Sequence, residues 1–83
     1  PWPPSYMGMM ALFRKEYAVA AAWYHEAVRL SPQPQHWLLM AEGDARWRAG
    51  DRDGAVDTWR FCLRKFPDNR QTLAILRNAG VLP

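Results

Sequence analysis

This sequence contains almost no cysteine, and it lacks the patterns typical of a membrane-spanning helix or of a β-strand. The single cysteine, Cys62, cannot form a disulfide within the chain, so both cytoplasmic and periplasmic locations stay open. No apolar run approaches the ~20 residues of a membrane-spanning helix. No segment alternates polar and apolar residues at the two-residue period of a half-buried strand.

Patterns that carry catalysis or metal binding are also missing. The sequence has no phosphate-binding glycine loop and no nucleophile placed in a catalytic motif. His25, His36 and Cys62 could supply metal ligands, but no two of them have the short spacing of a zinc site. We therefore expect a protein that is not an enzyme, with no catalytic residue, metal, cofactor or small-molecule substrate.

Charge is present in both signs, with a small basic excess. Eleven Lys and Arg residues against eight Asp and Glu residues give a formal charge of +3. A binder of nucleic acid usually has a basic stripe on one face, often interleaved with aromatic residues, and that pattern is missing. We therefore expect no nucleic-acid partner. The excess lies toward the C-terminal end, where Asp68 is accompanied by Arg60, Arg64, Lys65, Arg70 and Arg77.

Apolar residues, in contrast, are abundant. They form 49% of the 83 residues and include five Trp, which predicts one folded domain with a small core. Only the proline-rich start, residues 1–4, has the composition of an unfolded segment. Because the chain begins with Pro1 rather than Met, we expect it to be a domain or a processed form of a longer protein.

The apolar residues recur at helical spacing in five segments separated by proline, glycine or capping residues. Asp51 is predicted to cap the fourth helix, and Asp68 with Gln71 resembles a capping box before the fifth. The sequence therefore predicts an all-α protein. The predicted helices are 5–13, 17–30, 35–49, 52–66 and 69–79.

The chain also resembles itself when it is shifted by 35 residues. The shift aligns Gly8 with Gly43 and Ala20 with Ala55, and it matches residues of similar size at Tyr24 and Trp59, Ala27 and Cys62, and Pro32 and Pro67. A repeat of this length predicts a unit of two antiparallel helices that stacks on a copy of itself.

Packing explains the matched positions. We expect Gly43 and Ala55 to mark the closest approach of two helices, with Gly54 as a further packing glycine. We expect Trp59 to fill the space between pairs and Cys62 to be buried and inert.

These residues resemble the tetratricopeptide repeat family. The resemblance rests on Gly43, Gly50-Asp51, Ala55, Trp59, Cys62 and Pro67, with residues 1–34 as a weaker copy in which Lys15-Glu16 replace the usual turn glycine. It implies a single domain, 1–83, folded as a right-handed α-solenoid. The domain would contain two helix-turn-helix repeats, 1–34 and 35–68, and a C-terminal capping helix, 69–80.

The resemblance also implies a non-catalytic protein–protein interaction or scaffolding module that binds a peptide or helix in a concave groove. Leu38, Glu42 and Ala45 are expected to face the partner helix. Large apolar residues and one charged pair are expected to line the groove: Met9, Phe13, Trp37, Met40, Asp44, Trp47 and Arg48.

Two alternatives stay open. Neighbouring repeats, or the last helix of this chain, would bury the same apolar residues instead of leaving them for a partner. The protein would then be a structural segment of a larger repeat array, or a self-associating subunit of a bacterial-type secretion, pilus or envelope machine.

Overall fold

Residues 2–82 are described by the computed structural model, and over that range they form five α-helices and no strand. The all-α prediction is confirmed, and each predicted helix end lies within one residue of the observed end. Pro1, in the predicted proline-rich start, and Pro83 lie outside the described residues. The helices are α1 (Pro4–Phe13), α2 (Tyr17–Leu30), α3 (His36–Arg48), α4 (Arg52–Lys65) and α5 (Arg70–Asn78).

Each helix packs mainly against the next one along the chain. In the α3–α4 pair, the Cys62 Sγ lies 4.0 Å from the main-chain oxygen of His36, and the Thr58 Oγ1 lies 3.5 Å from Glu42 Oε2. The start of α3 therefore contacts the later part of α4, and the middle of α3 contacts an earlier part of α4. The two helices run antiparallel, as predicted. Three residues connect α1 to α2, a length typical of antiparallel neighbours.

The turns after α1 and α3 have the same backbone geometry. Lys15 and Gly50 both adopt a left-handed conformation, with φ of 62° and 93°. The residues that follow have nearly identical angles, φ −89° and ψ 74° at Glu16 and φ −88° and ψ 75° at Asp51. In both turns this second residue donates its N–H to the carbonyl five residues earlier, at 2.9 Å. A lysine thus adopts in the first turn the conformation that glycine favours.

A glycine faces an aromatic ring in each helix pair. A Cβ atom at Gly8 would lie 3.0 Å from the ring of Tyr24, and one at Gly43 would overlap the indole of Trp59. Gly43 is thus a packing glycine, as predicted, and the group nearest to it is the ring of Trp59, which also packs against α5. Because Gly43 has no side chain, the indole of Trp59 on α4 can pack directly against α3. A larger residue at position 43 would occupy the space that the ring fills.

One predicted helix cap agrees with the structure and one differs, and the role predicted for Gly54 also differs. Asp51 accepts a hydrogen bond from the Gly54 N–H at 3.0 Å, as predicted for a cap. Gly54 is not a packing glycine, because a Cβ there would overlap the Asp51 carboxylate. The predicted cap at Asp68 is wrong. Asn69 caps α5 by accepting from the Thr72 N–H at 2.9 Å, while Asp68 lies in a turn outside the helix.

The buried side chains form two clusters. The first joins α1, α2 and α3, and the second joins α4 and α5 with the flank of α3. Small residues dominate the first cluster, which lets three helices approach closely. The first contains Ala11, Ala20, Ala21, Tyr24, Leu38 and Ala45, and the second contains Ala55, Trp59 and Leu76.

Candidate functional site

The predicted groove residues of α1 lie on an exposed apolar stripe. Met9 is 51% exposed and Phe13 is 78% exposed. The same helix face continues to Tyr6, and the ring of Trp2, which precedes α1, stacks on the Tyr6 ring with centroids 4.8 Å apart. Spacings of three and four residues place Tyr6, Met9 and Phe13 in one row. We call Tyr6, Met9 and Phe13 the α1 stripe. No residue between 2 and 13 carries a charge.

Three predicted groove residues of α3 are wholly or partly open to solvent. Trp37 is 50% exposed, and its Nε1 donates a hydrogen bond to the Gln35 side-chain oxygen at 2.8 Å. Arg48 forms an ion pair with Asp44, with Nε to Oδ2 at 3.1 Å. The Arg48 guanidinium also lies 5.7 Å from the ring centre of Tyr17, at the start of α2. Asp44 and Arg48 are therefore paired with each other, and Trp37 is the main exposed apolar group among the predicted groove residues of α3.

The remaining two groove residues, Met40 and Trp47, are half-buried. Both pack against the second core cluster, and the rings of Trp47 and Trp59 lie 5.6 Å apart. The Met40 Sδ accepts a hydrogen bond from the Thr72 hydroxyl on α5 at 3.4 Å. The outer side of Trp47 is covered by Arg52, whose guanidinium lies 4.8 Å from the ring centre. These two side chains therefore connect the surface of α3 to the core.

Residues 35 apart occupy matching places on α1 and α3 but differ in chemistry. Trp2, which precedes α1, corresponds in sequence to Trp37, which lies within α3, and both are exposed. Toward the ends of the helices, apolar residues of α1 correspond to charged residues of α3. Met9 corresponds to Asp44, and Phe13 corresponds to Arg48. The face is therefore uniformly apolar on α1 and mixed on α3.

A small cavity of about 270 Å³ lies between α3 and α5 beside these residues. Its walls combine indole rings with a carboxylate and a primary amide, so it offers both apolar contact and hydrogen bonding. The Trp59 Nε1 is buried and, within the described part of the chain, has no hydrogen-bond partner. The cavity is lined by Asp44, Trp47, Trp59, Ile75, Asn78 and Ala79.

A buried carboxylate, Glu42, ties three helices together on another side of α3. Its Oε2 accepts from the Arg46 Nε at 2.9 Å and the Thr58 Oγ1 at 3.5 Å, and lies 3.2 Å from the His25 Nδ1. Burial lowers the pKa of Arg46, but its hydrogen bonds to Glu42 and Asp51 outweigh this and raise the pKa overall. Leu38, Glu42 and Ala45 were predicted to face the partner helix; all three are buried, and Leu38 and Ala45 pack in the first cluster with residues of α1 and α2.

The Glu42 network was not predicted from the sequence. The signal available was the four-residue spacing of Glu42 and Arg46, which allows an ion pair on one helix face. The helix packing adds Thr58 and His25, which the sequence places 16 and 17 residues away. A buried charge that is paired and hydrogen-bonded in this way holds the helices in register.

The three candidate metal ligands have separate partners. His25 contacts Glu42, while His36 lies 3.1 Å from the Gln71 side-chain oxygen. Cys62 is fully buried, as predicted, with its Sγ 3.5 Å from the Thr72 hydroxyl. Burial raises the pKa of the Cys62 thiol, and the Thr72 contact lowers it by less. Over residues 2–82, no group of three His, Cys, Asp or Glu side chains could hold a metal ion.

Comparison with known proteins returns no relative. No protein-family model matches this chain, and neither a curated protein nor a solved structure matches it. Among the helices described, none combines the length and the apolar character needed to cross a membrane.

Proposed function

We propose that this protein is a non-catalytic protein-interaction module that binds a peptide or a helix of another protein. In this proposal it is a right-handed α-solenoid of two tetratricopeptide-like repeats followed by a capping helix. The matching turns at Glu16 and Asp51 support the repeat, because they recur 35 residues apart with the same angles. The glycine–aromatic contacts at Gly8 and Gly43 recur at the same interval.

The exposure of Met9, Phe13 and Trp37 carries the proposal. All three are large apolar side chains, and each is at least half exposed. Soluble proteins rarely leave contiguous apolar surface beyond a few hundred Å² without a use for it, and aromatic and Met side chains are enriched at binding surfaces. A binding partner would remove these side chains from water.

Polar groups beside the apolar surface would orient the partner. The Asp44–Arg48 pair is exposed and could exchange its internal contact for hydrogen bonds to a peptide main chain. Such rim contacts add specificity more than affinity. Met40 and Trp47, which are packed on the core, would support the surface from below rather than anchor the partner.

Selection of peptides from a random library against the immobilised protein tests the proposal. Recovered peptides should lose affinity about 10- to 30-fold for Trp37→Ala, as expected when an aromatic anchor worth about 2 kcal/mol is removed. Leu30→Ala is the matched control, because Leu30 is equally exposed but lies at the end of α2. Peptides that bind both variants as tightly as the unmodified protein would contradict the proposed surface.

A further inference from the structure

We infer that the cavity between α3 and α5 binds a basic side chain, lysine or arginine, of the partner peptide. The inference rests on the proposed function, because the cavity lies beside the proposed groove and shares Asp44 and Trp47 with it. It adds the chemical class of one residue in the partner, which the exposed apolar side chains do not specify.

The size of the cavity suits one side chain rather than a whole ligand. Its volume is about 270 Å³, whereas sites that enclose a small molecule usually measure ~300–1,000 Å³. The cavity is open to solvent rather than sealed. A side chain can therefore enter it while the main chain of the peptide stays on the surface.

The walls of the cavity match the two parts of a basic side chain. The rings of Trp47 and Trp59 and the aliphatic Ile75 provide apolar surface for the methylene stem. The Asp44 carboxylate and the Asn78 amide oxygen can accept hydrogen bonds from the charged head, which has several N–H donors and no acceptor. Lysine and arginine commonly lay their stems on apolar surface in this way while the head stays in a polar setting.

The charges around the cavity favour a cation over an anion. Among the described residues that line it, Asp44 is the one with an ionisable side chain. The cavity also lies at the C-terminal ends of α3 and α5, where each helix dipole places about half a negative charge. An acidic side chain would be repelled by the carboxylate and by both helix ends, so the cavity discriminates by charge.

Two neighbouring arginines leave the Asp44 carboxylate available. The Arg48 Nε lies 3.3 Å from Oδ1 and 3.1 Å from Oδ2, and a carboxylate has about four acceptor positions. Arg52 lies over the ring of Trp47, and neither arginine is among the described residues that line the cavity. The net charge of +3 opposes a basic peptide mainly at long range, because salt screens exposed charges beyond about 8 Å.

Nuclear magnetic resonance titration of the 83-residue chain with N-acetyl-arginine amide tests the inference. The main-chain amide signals of Asp44, Trp47 and Asn78 should shift with a dissociation constant of about 1–20 mM, as expected for a single side chain. N-acetyl-citrulline amide has nearly the same shape without the charge and should bind at least about fivefold more weakly. Equal binding of the two ligands would overturn the inference, as would the lack of a saturable shift up to about 50 mM.

Three variants locate the site. Asp44→Asn keeps the shape of the side chain, removes its charge and should weaken binding of N-acetyl-arginine amide at least about fivefold. Asp57→Asn is the matched control, because Asp57 is an exposed carboxylate on α4 that does not line this cavity, and it should leave binding unchanged. Ala79→Leu narrows the cavity without changing the charge and should also weaken binding at least about fivefold.

Circular dichroism should show all three variants folded. Shifts that persist in both Asp44→Asn and Ala79→Leu would overturn the inference, because another surface would then bind the ligand. A loss that Asp57→Asn reproduces would overturn it as well, since binding would then follow the net charge of the chain rather than the cavity.

Failure of this inference can be told apart from failure of the proposed function. Selected peptides that depend on Trp37 but carry no preferred Lys or Arg, and that bind Asp44→Asn equally well, would overturn the basic side chain and leave the proposed function standing. Arginine binding that Asp44→Asn removes, with no Trp37-dependent peptide recovered, would support the cavity as a cation site and contradict the proposed surface. Peptides that depend on both Trp37 and a Lys or Arg residue would support both.

Discussion

The α1–α2 and α3–α4 helix pairs share a turn geometry and a glycine–aromatic contact, but they differ in the side chains that they expose. Both turn through the same angles, and both place an aromatic ring over a glycine. The first pair has an uncharged outer stripe, whereas the corresponding part of α3 carries the Asp44–Arg48 pair. The difference indicates that internal positions maintain a common helix pair while outward positions are free to specialise.

The two pairs also differ in how tightly the glycine is enclosed, and this difference gives the largest predicted effect. Gly43→Ala should destabilise the protein by about 3 kcal/mol, because the new methyl group overlaps the Trp59 indole. Gly8→Ala should change stability by less than about 1 kcal/mol, since the Tyr24 ring needs to move only a few tenths of an ångström and alanine favours the helix. Urea unfolding of both variants measures the difference; equal losses would contradict it.

The two tryptophans of α3 should differ in their contribution to stability, because Trp47 packs on the core and Trp37 is half exposed. Trp47→Ala should cost about 2 kcal/mol of unfolding free energy, because the half-buried ring packs on Trp59 and on the rest of the second core cluster. Trp37→Ala should cost less than about 1 kcal/mol, since half of its surface is already in water. Thermal unfolding of the two variants compares them. A larger loss for Trp37 would place it in the core and remove it from the binding surface.

The residues that precede α2 and α4 should also differ in how much they contribute to stability. Asp51→Ala should destabilise by about 1 kcal/mol, because the carboxylate accepts from the Gly54 N–H and contacts Arg46. Glu16 occupies the same place before α2 but forms no side-chain cap bond, so Glu16→Ala should change stability by less than about 0.5 kcal/mol. Parallel denaturant titrations give both values, and a similar cost for each would show that the caps are equivalent.

Effects of about 1 kcal/mol or less are also expected at the residue before each cap. Lys15→Gly should stabilise the protein by about 0.5 kcal/mol, because relief of the left-handed strain slightly exceeds the entropy that glycine adds to the unfolded chain. Gly50→Ala makes the opposite change in the other turn and should destabilise by about 1 kcal/mol. Both shifts are measurable as changes in Tm. A stabilising Gly50→Ala would contradict the shared turn geometry.

Several features of the fold were predictable because they depend on local sequence. The helix boundaries follow from periodic apolar residues interrupted by Pro, Gly and capping residues, and they agree to within one residue. The cap of α5 was placed one residue early, because Asp68 and Asn69 are adjacent and both suit the position. Sequence pattern alone does not choose between neighbouring candidates of equal propensity.

The candidate site was less predictable because exposure depends on contacts between distant segments. Met40 and Trp47 share a helix face with Trp37 in the sequence pattern, yet α5 covers the first two and leaves Trp37 half exposed. The enclosure of Glu42 by Arg46, Thr58 and His25 likewise needs three helices in contact. Helical periodicity predicts which residues share a face but not which neighbour reaches that face.

By itself, the sequence determined that this protein is all helical, where each helix begins and ends to within one residue, and that α1 carries no charge. These properties follow from local propensity, capping and composition, which act within a few residues. Tertiary structure alone decided that Trp59 fills the space over Gly43, that Glu42 is buried with its partners, and that Phe13 remains in water while Trp47 is half-buried. The physical reason is that burial depends on the close packing of segments far apart in the chain.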